Sequence, residues 1–174
     1  MGIAGKKVAI LIADDYEDLE MWYPYYRMKE AEAEVHVIGN VLSADKLKGR
    51  RGYMADVQFR TDVLDPSQYD AIIIPGGWSS DRLSWCSVTL DFIKRAYELN
   101  KIIASISQGV WVLSSAGILK DKNVTSAISI RENIKIGGAN WTDTDVVRDG
   151  NIITSRSTSD LPSFCQEIVK ALSE

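Results

Sequence analysis

Runs of apolar residues, each four to eight long and bounded by polar or turn-forming residues, recur along the chain and alternate with longer segments of helical spacing. The first run, within Lys6 to Ala13, is continuously apolar from Val8, as expected of a central parallel strand covered on both faces. Glu17 to Ala33 is expected to be largely helical, with its main helix starting near Pro24, where proline is tolerated. Glu34 to Gly39 reads as the second strand. Met54 to Phe59 reads as part of a small hairpin after the turn-like Lys48 to Gly52. Asp65-Pro66 has the form of a helix start, with Asp65 as cap. Asp70 to Pro75 is another buried strand, and Gly76-Gly77 after it forces a tight turn.

Ser87 to Leu99 is a helix with Leu90, Ile93 and Tyr97 on one face. Lys101 to Ser105 is a strand and Gln108 to Ala116 a helix stopped by Gly117, with only Ile106 and Ser107 between them. Val124 to Ile128 reads as a strand, Ile130 to Ile136 as a short helix, and Val146 to Ser155 as a hairpin around Asp149-Gly150. Ser159 begins the last helix, in which Phe164, Ile168 and Leu172 repeat every four residues. This alternation predicts a single domain over 1–174: an α/β fold, a flavodoxin-like three-layer α/β/α sandwich with a mainly parallel sheet.

The junction at Ser107 is the sharpest feature. A strand that becomes a helix across two residues must bend at one of them. That residue stands above the sheet edge with free N–H groups behind it, a geometry suited to an anion. This is the form of a nucleophile elbow, although G-x-S-x-G is absent. Loops at the carboxyl ends of parallel strands form the ligand crevice. Asp15–Glu17, Gly76–Asp81 and Ser107–Gln108 occupy three such loops and are expected to converge there.

Composition narrows the classes. Hydrophobic residues are 45% and charged residues 25%, ordinary for a globular domain of 174 residues. The net charge of −4, with no basic stripe, argues against nucleic acid as partner. Lys46, Lys48, Arg50 and Arg51 read as a solvated turn. No apolar run has the length to span a bilayer and no signal-peptide pattern opens the chain, so no membrane association and a cytoplasmic location are expected. Two cysteines, Cys86 and Cys165, and one histidine, His36, give no disulfide framework and no metal pattern, and no cofactor is expected. Cys86 lies near a helix start, where a thiol pKa can fall, but no partner base is evident. Trp78, Trp111 and Trp141 are candidates for the crevice or a subunit interface, with plain aromatic packing the preferred reading.

Ser107-Gln108-Gly109, Pro75-Gly76-Gly77 and Glu17-Asp18-Leu19-Glu20 together resemble the ThiJ/PfpI superfamily, on a scaffold similar to class I glutamine amidotransferases. The resemblance is closest to PfpI-type intracellular proteases in Tyr23 to Glu30 and Ser114 to Leu119, and it runs from about Lys7 to Leu172. It implies a nucleophile at position 107, a carboxyl partner that matches Glu17, and an oxyanion hole from the backbone at Gly77 and Gln108, with Gly76 and Gly109 shaping it. It implies an acidic residue at Asp81 that reaches across a subunit interface to orient a histidine, and a homo-oligomer, dimer or hexamer. The pattern also departs from the family: the family's Cys-His at the elbow is Ser107-Gln108, and a His-Pro-Gly-Asp-Leu-like segment keeps only Asp160-Leu161. A serine needs a base, and Gln108 is none.

Three readings follow. The first is a diverged, non-catalytic member with a small-molecule or peptide pocket. The second is a hydrolase, peptidase or deglycase-like, using Ser107 with Glu17. The third is a chaperone-like stress protein acting as an oligomer. The first is preferred, because the cysteine and both histidines are missing.

Overall fold

The computed structural model describes residues 2–174. Strand β1, Lys7–Ile12, shows how the core is divided. Its Val8, Ile10 and Ile12 enter one apolar cluster, while Ala9 and Leu11 enter another on the opposite face. A continuous apolar run is what a strand needs when successive side chains point to opposite faces and both are covered.

Helix α1 (Asp18–Glu30) returns the chain to β2 (Glu34–Gly39), which pairs parallel with β1. Next come a small antiparallel hairpin, β3 (Lys46–Lys48) with β4 (Met54–Asp56), and the short β5 (Phe59–Arg60) beside β2. Pro66–Gln68 forms one 3-10 turn, in which the Asp65 carboxylate accepts from the Ser67 N–H at 3.0 Å. Strand β6 (Ala71–Ile74) leads to α2 (Ser79–Ser84) and α3 (Ser87–Glu98). Strand β7 (Ile102–Ile106) runs through a 3-10 turn, Ser107–Gly109, into α4 (Val110–Ser115). The remainder is β8 (Asn123–Val124), α5 (Arg131–Ile136), β9 (Asn140–Trp141), β10 (Val146–Asp149), β11 (Ile152–Ser155) and α6 (Leu161–Leu172).

The main sheet has the order β10-β11-β7-β6-β1-β2-β5 and is parallel except at β10. Helices α1 and α6 cover one face, where Met21, Met28, Phe164 and Ile168 are fully buried. Helices α3 and α4 cover the other through Phe92, Ile93, Val110 and Leu113. Each such side chain contributes about 1.5–3 kcal/mol when removed from water. The result is the expected three-layer α/β sandwich, with the mainly parallel sheet in the middle.

Three local expectations are corrected. Helix α1 does not start near Pro24; it starts at Asp18 and passes through Pro24. Proline has no N–H to give to the carbonyl four residues back, here that of Glu20, and the turn is held instead by burial of Met21, Pro24 and Met28. The strand predicted over Val124 to Ile128 is reduced to Asn123–Val124. The loop expected over Gly76–Asp81 ends early, in α2, which forms because Leu83 packs into the core and Ser79 Oγ accepts from the Ala13 N–H at 2.8 Å.

Candidate active site

The three predicted loops meet at the carboxyl edge of β1, β6 and β7. The loop after β1 lies across the loop after β6: the Glu17 N–H donates to Gly76 O at 3.1 Å, the Trp78 N–H donates to Asp15 O at 3.0 Å, and Tyr16 bridges Gly77. Gly77 has φ +81° and its Cα faces backbone so closely that a Cβ would stand 2.5 Å from the Glu17 nitrogen. Only glycine fits there.

Ser107 sits at the elbow with φ 60°, in the left-handed region that serine seldom adopts. The strain is held by β7 on one side and α4 on the other. Gly109 allows the tight turn: a Cβ on it would stand 2.5 Å from Ile74 O and 2.8 Å from Pro75 O. Its role is close packing of α4 against the end of β6.

The carboxyl group beside Ser107 belongs to Glu20, not to Glu17. Glu20 is buried in the first turn of α1, and the Gly76 N–H donates to its Oε2 at 2.8 Å. A Cβ on Gly76 would lie 2.6 Å from that oxygen and 2.9 Å from Ser107 Cβ, so the glycine lets the carboxyl and the elbow share one space. Gly76 thus gives its N–H to Glu20 and leaves none for a ligand. Burial pushes the Glu20 carboxyl up to about 8; the Glu17 charge adds to the rise, and the Gly76 N–H, Ser107 and Arg50 oppose it. Glu17 precedes the helix in extended conformation and is largely covered, with its Oε2 3.4 Å from Arg50 Nη1. The side-chain partner of Glu17 is thus Arg50, and the carboxyl that shares the space beside Gly76 with Ser107 is that of Glu20.

The Ser107 hydroxyl donates to Gln108 Oε1 at 2.7 Å. The same oxygen accepts from the Gly77 N–H at 3.4 Å. Gln108 thus takes both groups that the elbow offers. His36 lies away in β2, its Nδ1 3.0 Å from the Tyr69 hydroxyl and its Nε2 2.9 Å from Glu34.

A cleft of about 420 Å³ opens over the elbow, lined by Arg50, Gly77, Trp78, Ser80, Asp81, Gln108 and Trp111. Asp81 is exposed on its wall, and its neighbour Arg82 pairs with Asp15 at 2.9 Å. Trp78 and Trp111 reach the cleft. Trp141 does not; its Nε1–H donates to Ser126 Oγ at 3.0 Å. Cys86 lies outside the cleft. Burial raises its thiol pKa, but hydrogen bonding at Thr89, Val41 and Val88 outweighs that and lowers it. Burial pushes the Cys165 thiol up to about 12.

Lys46, Lys48, Arg50 and Arg51 are exposed, as a solvated turn requires, and Arg50 in addition lines the cleft. The buried Asp18 carboxylate accepts from the Arg51 N–H at 2.7 Å and the Tyr53 N–H at 3.2 Å. The Arg50 N–H donates to Tyr16 O at 3.0 Å. The β3–β4 hairpin is thereby clamped to the loop after β1, with Arg50 held at the cleft. Arg50 and Glu20 are the site residues that the sequence reading missed. For Glu20 a signal was present: spacing 20-24-28 places it on one helical stripe with Pro24 and Met28.

Comparison with known proteins identifies the family. The family model described as DJ-1/PfpI family matches residues 6–171. The chain is 40% identical to Deglycase TK1284 of Thermococcus kodakarensis over 166 residues, covering 95% of this chain and 99% of the relative. It is 34% identical to Deglycase PfpI of Pyrococcus furiosus over 166 residues, with the same coverage of 95% and 99%. A crystal structure of a two-domain protein from Anabaena variabilis, with dj-1/thij/pfpi-like and ferritin-like domains, superposes with a TM-score of 0.94 at 36% identity. That match covers 97% of this chain and 48% of the larger protein. With the family model matching residues 6–171 and these relatives covered almost end to end, the chain belongs to the DJ-1/PfpI family.

Proposed function

We propose that this chain is a non-covalent member of its family, a protein that holds a small polar ligand in the cleft above the elbow without forming a bond to it. The observation that carries this reading is the Ser107 hydroxyl bound to Gln108 Oε1 at 2.7 Å. A neutral amide oxygen accepts a hydrogen bond but does not take the proton, so it leaves the serine a weak nucleophile. Glu20 does not supply the missing base at neutral pH, because with a pKa of about 8 it is mostly the neutral acid. The cleft itself suits binding. Trp78 and Trp111 give it apolar area, Arg50 and the Gly77 N–H give it donors, and Ser80 brings a buried hydroxyl with no hydrogen-bond partner among the described residues.

A second reading has one observation in its favour. Glu20 and Ser107 share the space beside Gly76, so above pH 8 an ionised Glu20 stands close enough to act as base. That reading is a serine-dependent hydrolase, peptidase or deglycase-like, active only in alkali. The deglycase names of two relatives make glycated substrates the first to try. Turnover of peptide, ester and glycated substrates by wild type and Ser107→Ala, side by side from pH 6 to 10, separates the two. The binding reading predicts equal background rates throughout. Ser107-dependent turnover rising through pH 8 overturns it and supports the hydrolase.

A further inference from the structure

Gln108 Oε1 stands where a ligand's carbonyl oxygen would be expected. It accepts from the Ser107 hydroxyl at 2.7 Å and from the Gly77 N–H at 3.4 Å, and these are the donors that the elbow and the glycine turn present to the cleft. The occupant is itself a primary carboxamide, delivered by the chain. The backbone of Gln108 is fixed in the turn between β7 and α4, but its side chain is only half-buried and forms part of the cleft wall. It therefore has room to swing out, and each of its hydrogen bonds is one that an incoming group can replace.

We propose that Gln108 is a built-in occupant of the carbonyl-binding point, and that the ligand of this cleft is a small primary carboxamide that displaces it. The proposal rests on the reading of the cleft as a binding site. Like replaces like: a ligand amide oxygen accepts the same two donors, so the exchange leaves no buried donor unpaired. The surroundings favour a neutral group over a carboxylate. Glu17 and Asp81 are acidic neighbours, and the guanidinium of Arg50 is already paired with Glu17 at 3.4 Å. The apolar body of the ligand would lie against Trp78 and Trp111. Gln108 then acts as a selectivity device, since a ligand must do better than the protein's own amide.

An internal competitor weakens apparent affinity by the fraction of time that the point is free. If that fraction is about one tenth, removing the side chain tightens binding about tenfold. The test is an NMR titration of wild type and Gln108→Ala with propionamide and, separately, propionate, read on the indole N–H signals of Trp78 and Trp111. The expected result is propionamide binding about tenfold tighter to Gln108→Ala, with propionate the weaker probe for both proteins. Equal or weaker propionamide binding by the variant overturns the internal occupant while leaving the cleft as a binding site. Tighter binding of propionate overturns the preference for a neutral amide. No response of either protein to either probe removes the binding reading as well. Wild type provides a second check: the Gln108 side-chain amide signals, identified by their loss in the variant, must move as propionamide is added. Signals that stay in place while the indoles respond overturn the displacement.

Discussion

Glu20 and Gly76 face each other across the base of the elbow, the Gly76 N–H donating to Glu20 Oε2 at 2.8 Å. This pairing, formed between the first turn of α1 and the end of β6, keeps a carboxyl group in a nearly dry space against Ser107. Its protonation links the site to the stability of the whole fold.

Glu20 is raised to about 8, so between pH 4.5 and 8 the folded chain keeps a proton that the unfolded chain releases. The contribution of Glu20 to stability is therefore expected to fall as pH rises across that window and to level off above it. The loss attributable to this one group is on the order of a few kcal/mol. Glu20→Gln, an uncharged mimic of the acid, is expected to flatten that part of the profile and to be the more stable protein at pH 8. Urea unfolding of both proteins at pH 5, 6.5 and 8 checks it, and parallel profiles would refute it.

Ser107 has φ 60°, so glycine and alanine should rank there against the usual order. The left-handed conformation costs a residue with a Cβ roughly 1–2 kcal/mol. Ser107→Gly is expected to exceed Ser107→Ala in stability by about 1 kcal/mol, measured by chemical unfolding. Both lose the same hydroxyl, so the comparison isolates the backbone.

Two glycines provide a matched contrast. Gly109→Ala would put a methyl group 2.5 Å from Ile74 O and 2.8 Å from Pro75 O, main-chain atoms that do not step aside. Gly117→Ala meets no atom within 4 Å and suffers only its φ of +72°. The first is expected to cost about 3 kcal/mol or more and the second about 1 kcal/mol. Thermal unfolding of the pair shows whether the elbow is as tightly built as the geometry states.

Asp18 is the clamp of the β3–β4 hairpin. Asp18→Ala leaves the Arg51 and Tyr53 amides without their acceptor and is expected to cost about 1–3 kcal/mol. Hydrogen exchange should speed up at those two amides first, and the Trp78 and Trp111 signals should respond less to a cleft ligand as Arg50 loses its hold. Unchanged exchange at Arg51 and Tyr53 would show that the hairpin stands without Asp18.

The elbow was legible in the sequence because its cause is local. A strand and a helix separated by Ile106 and Ser107 leave one bend point, and the Asp149-Gly150 hairpin was legible for the same reason. Convergence of the three loops followed from the parallel sheet, whose strand ends share one edge. Glu17 came from its place in the Glu17-Asp18-Leu19-Glu20 pattern through the family resemblance, and the pattern does not state which of its carboxyls faces the elbow. Each residue turns a helix by about 100°, so which carboxyl faces the elbow depends on how α1 seats against the sheet. Pro24 suggested a later start, and tertiary burial overrode it. Arg50 was hidden for another reason: it reaches the cleft only through the bonds of a hairpin to Asp18 and Tyr16, more than thirty residues earlier. Gln108 showed its chemical inability to act as a base, but not that its amide would lie on the Gly77 N–H.

The proposed binding function requires an unactivated Ser107, its hydroxyl donating to Gln108 Oε1. The most direct test is intact-mass analysis after treatment with a serine-directed fluorophosphonate at pH 7, with Ser107→Ala alongside. The account predicts no adduct on either protein. A single adduct on wild type, absent from Ser107→Ala, would contradict it.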